Sequence, residues 1–256
     1  MISRVTIALA TTAMLAACTS PQAQRAERER RDATKFLERQ GSIGDPGRVA
    51  AADIAFAKLA REDGQWTAFA QYAASGAVIH GTNGPIPAQP WLAQQRDPPV
   101  SNAWTPNTVW SSCDGSLAVS FGRFQQPDGN VGSYVTAWEL QSDNSYKYTY
   151  DLAALDNPQP VRRAQEDLPE NAIIVPGMSS IEGRVADCPV AGSALPEIPP
   201  VSTAAANRSG AKRSDDGTLQ WTWVHTDNGA RRMIVQWIRE GVVQEALNFD
   251  VPPAAG

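Results

Sequence analysis

The sequence predicts an α+β fold: a helix pair, a cone-shaped curved antiparallel sheet, and a small C-terminal antiparallel β unit. Three observations carry this. Apolar residues recur at helical spacing between Pro46 and Ala73. From Thr108 the apolar period becomes two, and the alternating runs are separated by Asp114-Gly115, Pro127-Asp128-Gly129 and Ser142-Asp143-Asn144. The 19 Gly and 19 Pro among 256 residues point to many turns and little long helix.

Pro46 to Arg61 places Val49, Ala52, Phe56, Leu59 and Ala60 on one helical face, and Gly64 breaks the run. Gln65 to Ala73 aligns Trp66, Phe69, Tyr72 and Ala73 on a shorter helix. Ala77-Val78-Ile79-His80 reads as a strand, residues 81–90 as a Gly/Pro loop, and Trp91 to Gln95 as a helical turn. The meander strands are Thr108–Cys113, Ser116–Gln125, Val131–Leu140 and Tyr146–Leu152. One face is read as Leu117, Val119 and Phe121, then Tyr134, Thr136, Trp138 and Leu140, then Tyr146, Tyr148, Tyr150 and Leu152. The other carries Ser120, Gly122, Glu139, Lys147 and Thr149, with Val135 and Ala137 as apolar exceptions. Those exceptions suit a homodimer contact, or a surface that the C-terminal unit covers.

Residues 46–155 thus form the main domain and residues 156–216 a linker opened by Asn157-Pro158-Gln159-Pro160. Within the linker Ile181 to Asp187 is one strand and Ala194 to Gly210 a loop. Residues 217–256 hold three strands, Thr218–Thr226, Arg231–Ile238 and Val242–Val251, joined at Asp227-Asn228-Gly229 and Arg239-Glu240-Gly241. Three strands alone are marginal. The unit is therefore expected to pair with Ile181–Asp187 or to pack on the cone. No internal repeat stands out.

At the N-terminus Arg4 precedes an apolar run, Val5 to Ala17, too short to span a bilayer as a permanent helix. It ends Leu15-Ala16-Ala17-Cys18, which resembles a bacterial lipobox. The resemblance implies a lipoprotein signal peptide at residues 1–17, lipidation of Cys18, and the lipid bilayer as a partner through an acyl anchor. It implies a periplasm-facing cell-envelope protein, and Thr19 in place of Asp points to the outer membrane. Residues 18–45 read as a tether rich in charges of alternating sign. Cys113 and Cys188 remain, in a compartment where disulfides persist, and are expected to pair; the alternative is two buried thiols.

Three pieces of the main domain resemble the SnoaL-like branch of the nuclear-transport-factor-2-like superfamily. They are Phe56…Gly64-Gln65-Trp66…Phe69…Tyr72-Ala73, the hairpin Cys113 to Gly122, and Gly132-Ser133-Tyr134-Val135-Thr136-Ala137-Trp138…Tyr146-Lys147-Tyr148…Asp151. The resemblance implies a pocket between helices and sheet, suited to a small apolar or amphipathic ligand. It assigns no activity, because this superfamily hosts isomerases, dehydratases, hydrolases and non-catalytic binders.

A net charge of -5 argues against a general nucleic-acid binder. There is no His-Glu-x-x-His, Cys-x-x-Cys, phosphate-cradling glycine loop or Gly-x-Ser-x-Gly. His80 and His225 fall in different predicted units, so neither a metal site nor a cofactor is expected. The catalytic candidates are Asp151 and His80; Trp104, Tyr134, Trp138 and Tyr148 are candidate ligand walls. A carboxylate among aromatics would have a raised pKa and serve as a base, yet Asp151 has the opposite parity to Tyr150, which would also let it face solvent. The leading expectation is a non-catalytic ligand-binding or interaction module. The alternative is a small-molecule isomerase or dehydratase using Asp151 or His80.

Overall fold

The computed structural model describes Arg25 and residues 44–160, 180–189, 194–203 and 208–253. The signal peptide, Cys18 and almost all of the tether lie outside the described residues. Helix α1 (Pro46–Glu62) starts where the Asp45 carboxylate accepts from the amides of Gly47 and Arg48, with Pro46 in the first turn. Gly64 stops it with φ 118°, and a Cβ there would lie 2.3 Å from the Asp97 carboxylate. That carboxylate stands in for an N-cap of α2 (Gln65–Tyr72), accepting from the amides of Trp66 and Thr67 and from Thr67 Oγ1.

Helix α2 passes directly into β1 (Ala73–Gly81), which begins before the expected Ala77. Strand β2 (Gly84–Pro87) occupies part of the expected loop, and α3 (Ala88–Leu92) precedes β3 (Ala103–Ser111). Strands β4 (Leu117–Gln125), β5 (Val131–Leu140) and β6 (Tyr146–Leu155) complete the meander, and β7 (Glu182–Val185) follows. The sheet order is β2-β1-β6-β5-β4-β3-β7. The α+β class is as expected, but the sheet is mixed: β1 joins β6, and β7 joins β3, in parallel. Both parallel pairs are far apart in sequence, as parallel pairing requires, and alternation reveals a strand without its direction.

The second sheet has four strands where three were expected: β8 (Arg208–Arg213), β9 (Leu219–His225), β10 (Arg231–Arg239) and β11 (Val242–Val251), in the order β11-β10-β9-β8. Strand β8 lies partly in the segment read as a loop. Its polar sequence gives no apolar alternation, and it is an edge held by its backbone ladder to β9. Gly210 lets β8 pass close to the Trp223 indole; a Cβ there would sit 2.6 Å from Nε1.

The described residues from Gly44 onward belong to one unit with two apolar layers. On the helix side Phe56 meets Phe69, Tyr72, Trp104 and Tyr148. On the other side Leu117, Val119, Val135, Ala137, Tyr150 and Leu152 pack against Leu219, Trp221, Trp223, Met233, Val235 and Trp237 of the second sheet. Val135 and Ala137, the apolar exceptions, are therefore covered from within the chain. The strand at Glu182–Val185 extends the first sheet and does not pair with the second.

The second sheet also repeats the meander of the first. In Ser112–Leu117 and Ser214–Leu219 the serine amide donates to the leucine carbonyl, the glycine amide to the serine carbonyl, and the leucine amide to the serine Oγ. The two turns dock reciprocally: Asp114 N donates to Asp216 Oδ2 at 2.8 Å, and Asp216 N to Asp114 Oδ2 at 3.1 Å. Such reciprocity marks a local two-fold relation. The repeat is hard to see in sequence because the turn residues are shared while the strand residues are not. Beside this contact Cys113 and Cys188 form a disulfide, joining the end of β3 to the segment after β7.

Candidate functional site

The orientation of β6 decides what the site contains. Ala137 pairs with Tyr150 but Trp138 pairs with Tyr148, so Thr149 is an extra residue, a β-bulge. The uniform face read from the sequence is therefore split. Tyr150 and Leu152 turn to the second sheet, where Tyr150 stacks on Trp221 and Trp223. Leu117 and Val119 also belong to that layer, whereas Trp138, Tyr146 and Tyr148 face the helices. Asp151 pairs with Thr136 and so shares the helix-side face with Tyr134 and Trp138.

A cavity of about 710 Å³ opens there, within the range of small-molecule sites. Phe56, Phe69 and Trp104 line one wall; Phe124, Tyr134, Thr136, Asp151 and Leu155 line the sheet wall. Arg231, Phe249 and Val251 reach it from the second sheet.

Asp151 is 8 % exposed, and its Oδ2 accepts from Thr136 Oγ1 at 2.7 Å. Among the described residues no donor meets Oδ1. Burial pushes the carboxyl up to about 7 against the Thr136 hydrogen bond, and the charge of Asp53 adds to the rise. Asp53, on α1, is fully buried. Its Oδ1 accepts from Trp104 Nε1 at 3.0 Å; its Oδ2 accepts from Ser120 Oγ at 2.7 Å and Tyr134 OH at 2.9 Å. Ser120 in turn accepts from Trp138 Nε1. Burial raises Asp53 to about 6, while the bonds from Ser120, Tyr134 and Trp104 oppose the rise. The cavity wall thus holds a buried carboxylate with an open oxygen, Asp151, beside a tyrosine tied to a second, sealed carboxylate.

Of the candidates named from sequence, Asp151, Trp104 and Tyr134 line the cavity. Trp138 and Tyr148 are fully buried beyond its lining and support the wall, Tyr148 stacking on Phe56. His80 does not line it. It turns to the second sheet, with Nδ1 2.6 Å from Tyr150 OH and Nε2 3.0 Å from His225 Nδ1. The histidines that the sequence places in separate units therefore meet between the sheets. Burial, then His225, Arg231 and Arg208, push His80 down to about 3, so its ring enters the contact neutral, and burial followed by Arg208 and Arg231 lowers His225 as well. No group of three or more metal-ligating side chains occurs among the described residues.

Sequence reasoning missed Asp53 and Arg231, although both left a trace. Asp53 is four residues after Val49 and three before Phe56, an acid on the apolar helical face. Arg231 has the parity of Met233, Val235 and Trp237, a cation at the head of an apolar stripe.

No protein-family model matches the chain, and no curated protein matches it. Among solved structures, a protein from Novosphingobium aromaticivorans, provisionally named an aromatic ring hydroxylase, aligns over 45% of this chain and 92% of its own. The identity is 13% and the TM-score 0.34. A nuclear-transport-factor-2-like protein of unknown function from Mesorhizobium loti aligns over 45% of this chain and 98% of its own, at 17% identity and TM-score 0.28. At these values no activity is carried over to the chain.

Proposed function

We propose that the protein is an envelope lipoprotein, anchored through Cys18 on the periplasmic side of the outer membrane, whose cavity binds a small, largely apolar molecule and accepts a proton from it through Asp151. The observation that carries the catalytic part is the open Oδ1 of a buried carboxylate on the cavity wall. A carboxylate held in partly dry surroundings with a pKa near neutrality is a competent general base. The products of such chemistry would be those of an isomerase or dehydratase. The sequence reading favoured binding without turnover; the placement of Asp151 on the cavity moves the balance towards proton transfer.

The test needs no knowledge of the natural substrate. 5-Nitrobenzisoxazole loses its C3 proton to a base, the C–H electrons form the nitrile, and the N–O bond breaks to release the phenolate. The purified protein is expected to catalyse this with saturation kinetics and a rate that rises through about pH 7, as Asp151 ionises. Asp151→Asn should lower the rate about 100-fold. Equal rates in wild type and variant would remove the proton-transfer reading. The anchor is tested separately. Cells fed an alkynyl fatty acid should label the wild-type chain and not Cys18→Ser, and the variant should leave the membrane fraction. Labelling that survives the substitution would refute the anchor at Cys18.

A further inference from the structure

We propose that the cavity takes an anionic amphiphile, with a carboxylate held by Arg231 and an apolar body lying along the aromatic wall; this rests on the reading of the cavity as a ligand site. Arg231 opens β10 and is 9 % exposed, yet it lines the cavity. Its Nη1 donates to the His80 carbonyl at 3.1 Å, and among the described residues its buried Nε has no partner. Among the described residues no carboxylate pairs with it. The acids that share the cavity are otherwise engaged: Asp156 binds Arg123, and Asp250 binds Arg232 at 3.0 Å. Asp151, the remaining acid, is bound by Thr136, and no ion pair joins it to Arg231.

A guanidinium keeps its charge even when buried, and an enclosed cation left with one neutral acceptor is costly. A ligand carboxylate at the cavity face of the guanidinium would supply the missing charge, while Nη1 stays on the His80 carbonyl. The rest of the lining is mixed: Phe56, Phe69, Trp104, Phe124 and Phe249 give it an aromatic side, and Asn102, Gln126 and Ser133 are among its polar groups. Val251 pairs with Arg231, and Phe249 lies two residues before Val251 on the same strand. Arg231 comes from the second sheet, so the ligand site is shared between the two sheets. An anion at Arg231 and an apolar body along the aromatic side of the lining define an amphiphile rather than a free inorganic ion.

Two fluorescent probes separate the charge from the apolar body. 8-Anilinonaphthalene-1-sulfonate carries an anion; N-phenyl-1-naphthylamine has the same rings without it. Wild type is expected to bind both. Arg231→Met and Arg231→Gln should weaken the sulfonate at least about tenfold and leave the neutral probe within about twofold. Retention of the neutral probe shows that a variant is folded, and the glutamine, which keeps an N–H donor, covers the case where the methionine variant is not. Decanoate should displace the sulfonate from wild type at a concentration where acetate does not. Unchanged sulfonate binding in both variants would overturn the Arg231 anchor while the cavity reading stands. Equal displacement by acetate would overturn the amphiphile in favour of a small free anion. Wild type that binds neither probe would overturn the cavity reading and this inference together.

Discussion

Asp53→Ala is expected to destabilise the protein by about 3 kcal/mol at pH 5, and by about 1 kcal/mol less at pH 8. The loss arises because the Asp53 carboxylate is the shared acceptor of Trp104 Nε1, Ser120 Oγ and Tyr134 OH. Each buried donor left without a partner costs roughly 1–3 kcal/mol. The two hydroxyls can turn toward other acceptors while the indole cannot, which holds the total below the full sum. Truncation also leaves a void beneath α1. The pH dependence follows from the raised pKa. Folded Asp53 titrates at about 6 against 3.8 for the ordinary group, because burial disfavours its charge. Its protonation therefore favours the fold below pH 3.8, and that benefit is lost as pH rises through 6. Alanine cannot titrate, so the variant recovers ground at alkaline pH. Urea unfolding of both proteins at pH 5 and pH 8 measures the effect. A midpoint unchanged at pH 5, or a deficit that grows toward pH 8, would contradict the assignment of Asp53 as a buried, proton-binding strut.

The parts of this site that were legible in sequence share one property: they depend on local chemistry. The turns at Asp114-Gly115 and Asp227-Asn228-Gly229 mark strand ends by their own backbone preferences, and the strands β5 and β11 begin and end where alternation begins and ends. What was not legible depends on a partner far along the chain. Nothing in Tyr148-Thr149-Tyr150 announces a bulge. An alternating aromatic run fits either face, and only the second sheet, offering Trp221 and Trp223, draws Tyr150 outward and so turns Asp151 inward. For the same reason aromatic type did not separate cavity wall from core. Tyr134 lines the cavity and Tyr148 does not, although both have the chemistry of either role. Strand β8 escaped because an exposed edge strand needs a neighbour's backbone more than it needs apolar side chains.

Reduction of the Cys113–Cys188 bond, or the Cys113→Ala/Cys188→Ala pair, is expected to lower stability by about 4 kcal/mol. The bond links residues 75 apart, so in the unfolded chain it removes a large loop-closure entropy. The native contact around it is held by other bonds as well. Cys113 N donates to Thr218 Oγ1 at 2.9 Å, Asp187 N to the Ile238 carbonyl at 2.9 Å, and Gly241 N to Asp187 Oδ2 at 2.9 Å. The reciprocal Asp114 and Asp216 contact lies beside them. These keep the second sheet docked once the cross-link is cut. The cost should therefore come from a more expanded unfolded state, and the reduced protein should unfold in one transition with a steeper denaturant dependence. Binding of the neutral naphthylamine should be unaltered, because the cavity needs the docked sheet and the sheet remains in place. Two resolved transitions after reduction would mean instead that the disulfide, rather than the layer around Trp221, Trp223 and Trp237, holds the sheets together. In that case Arg231 would leave the cavity along with its strand, and sulfonate binding would fall with the bond.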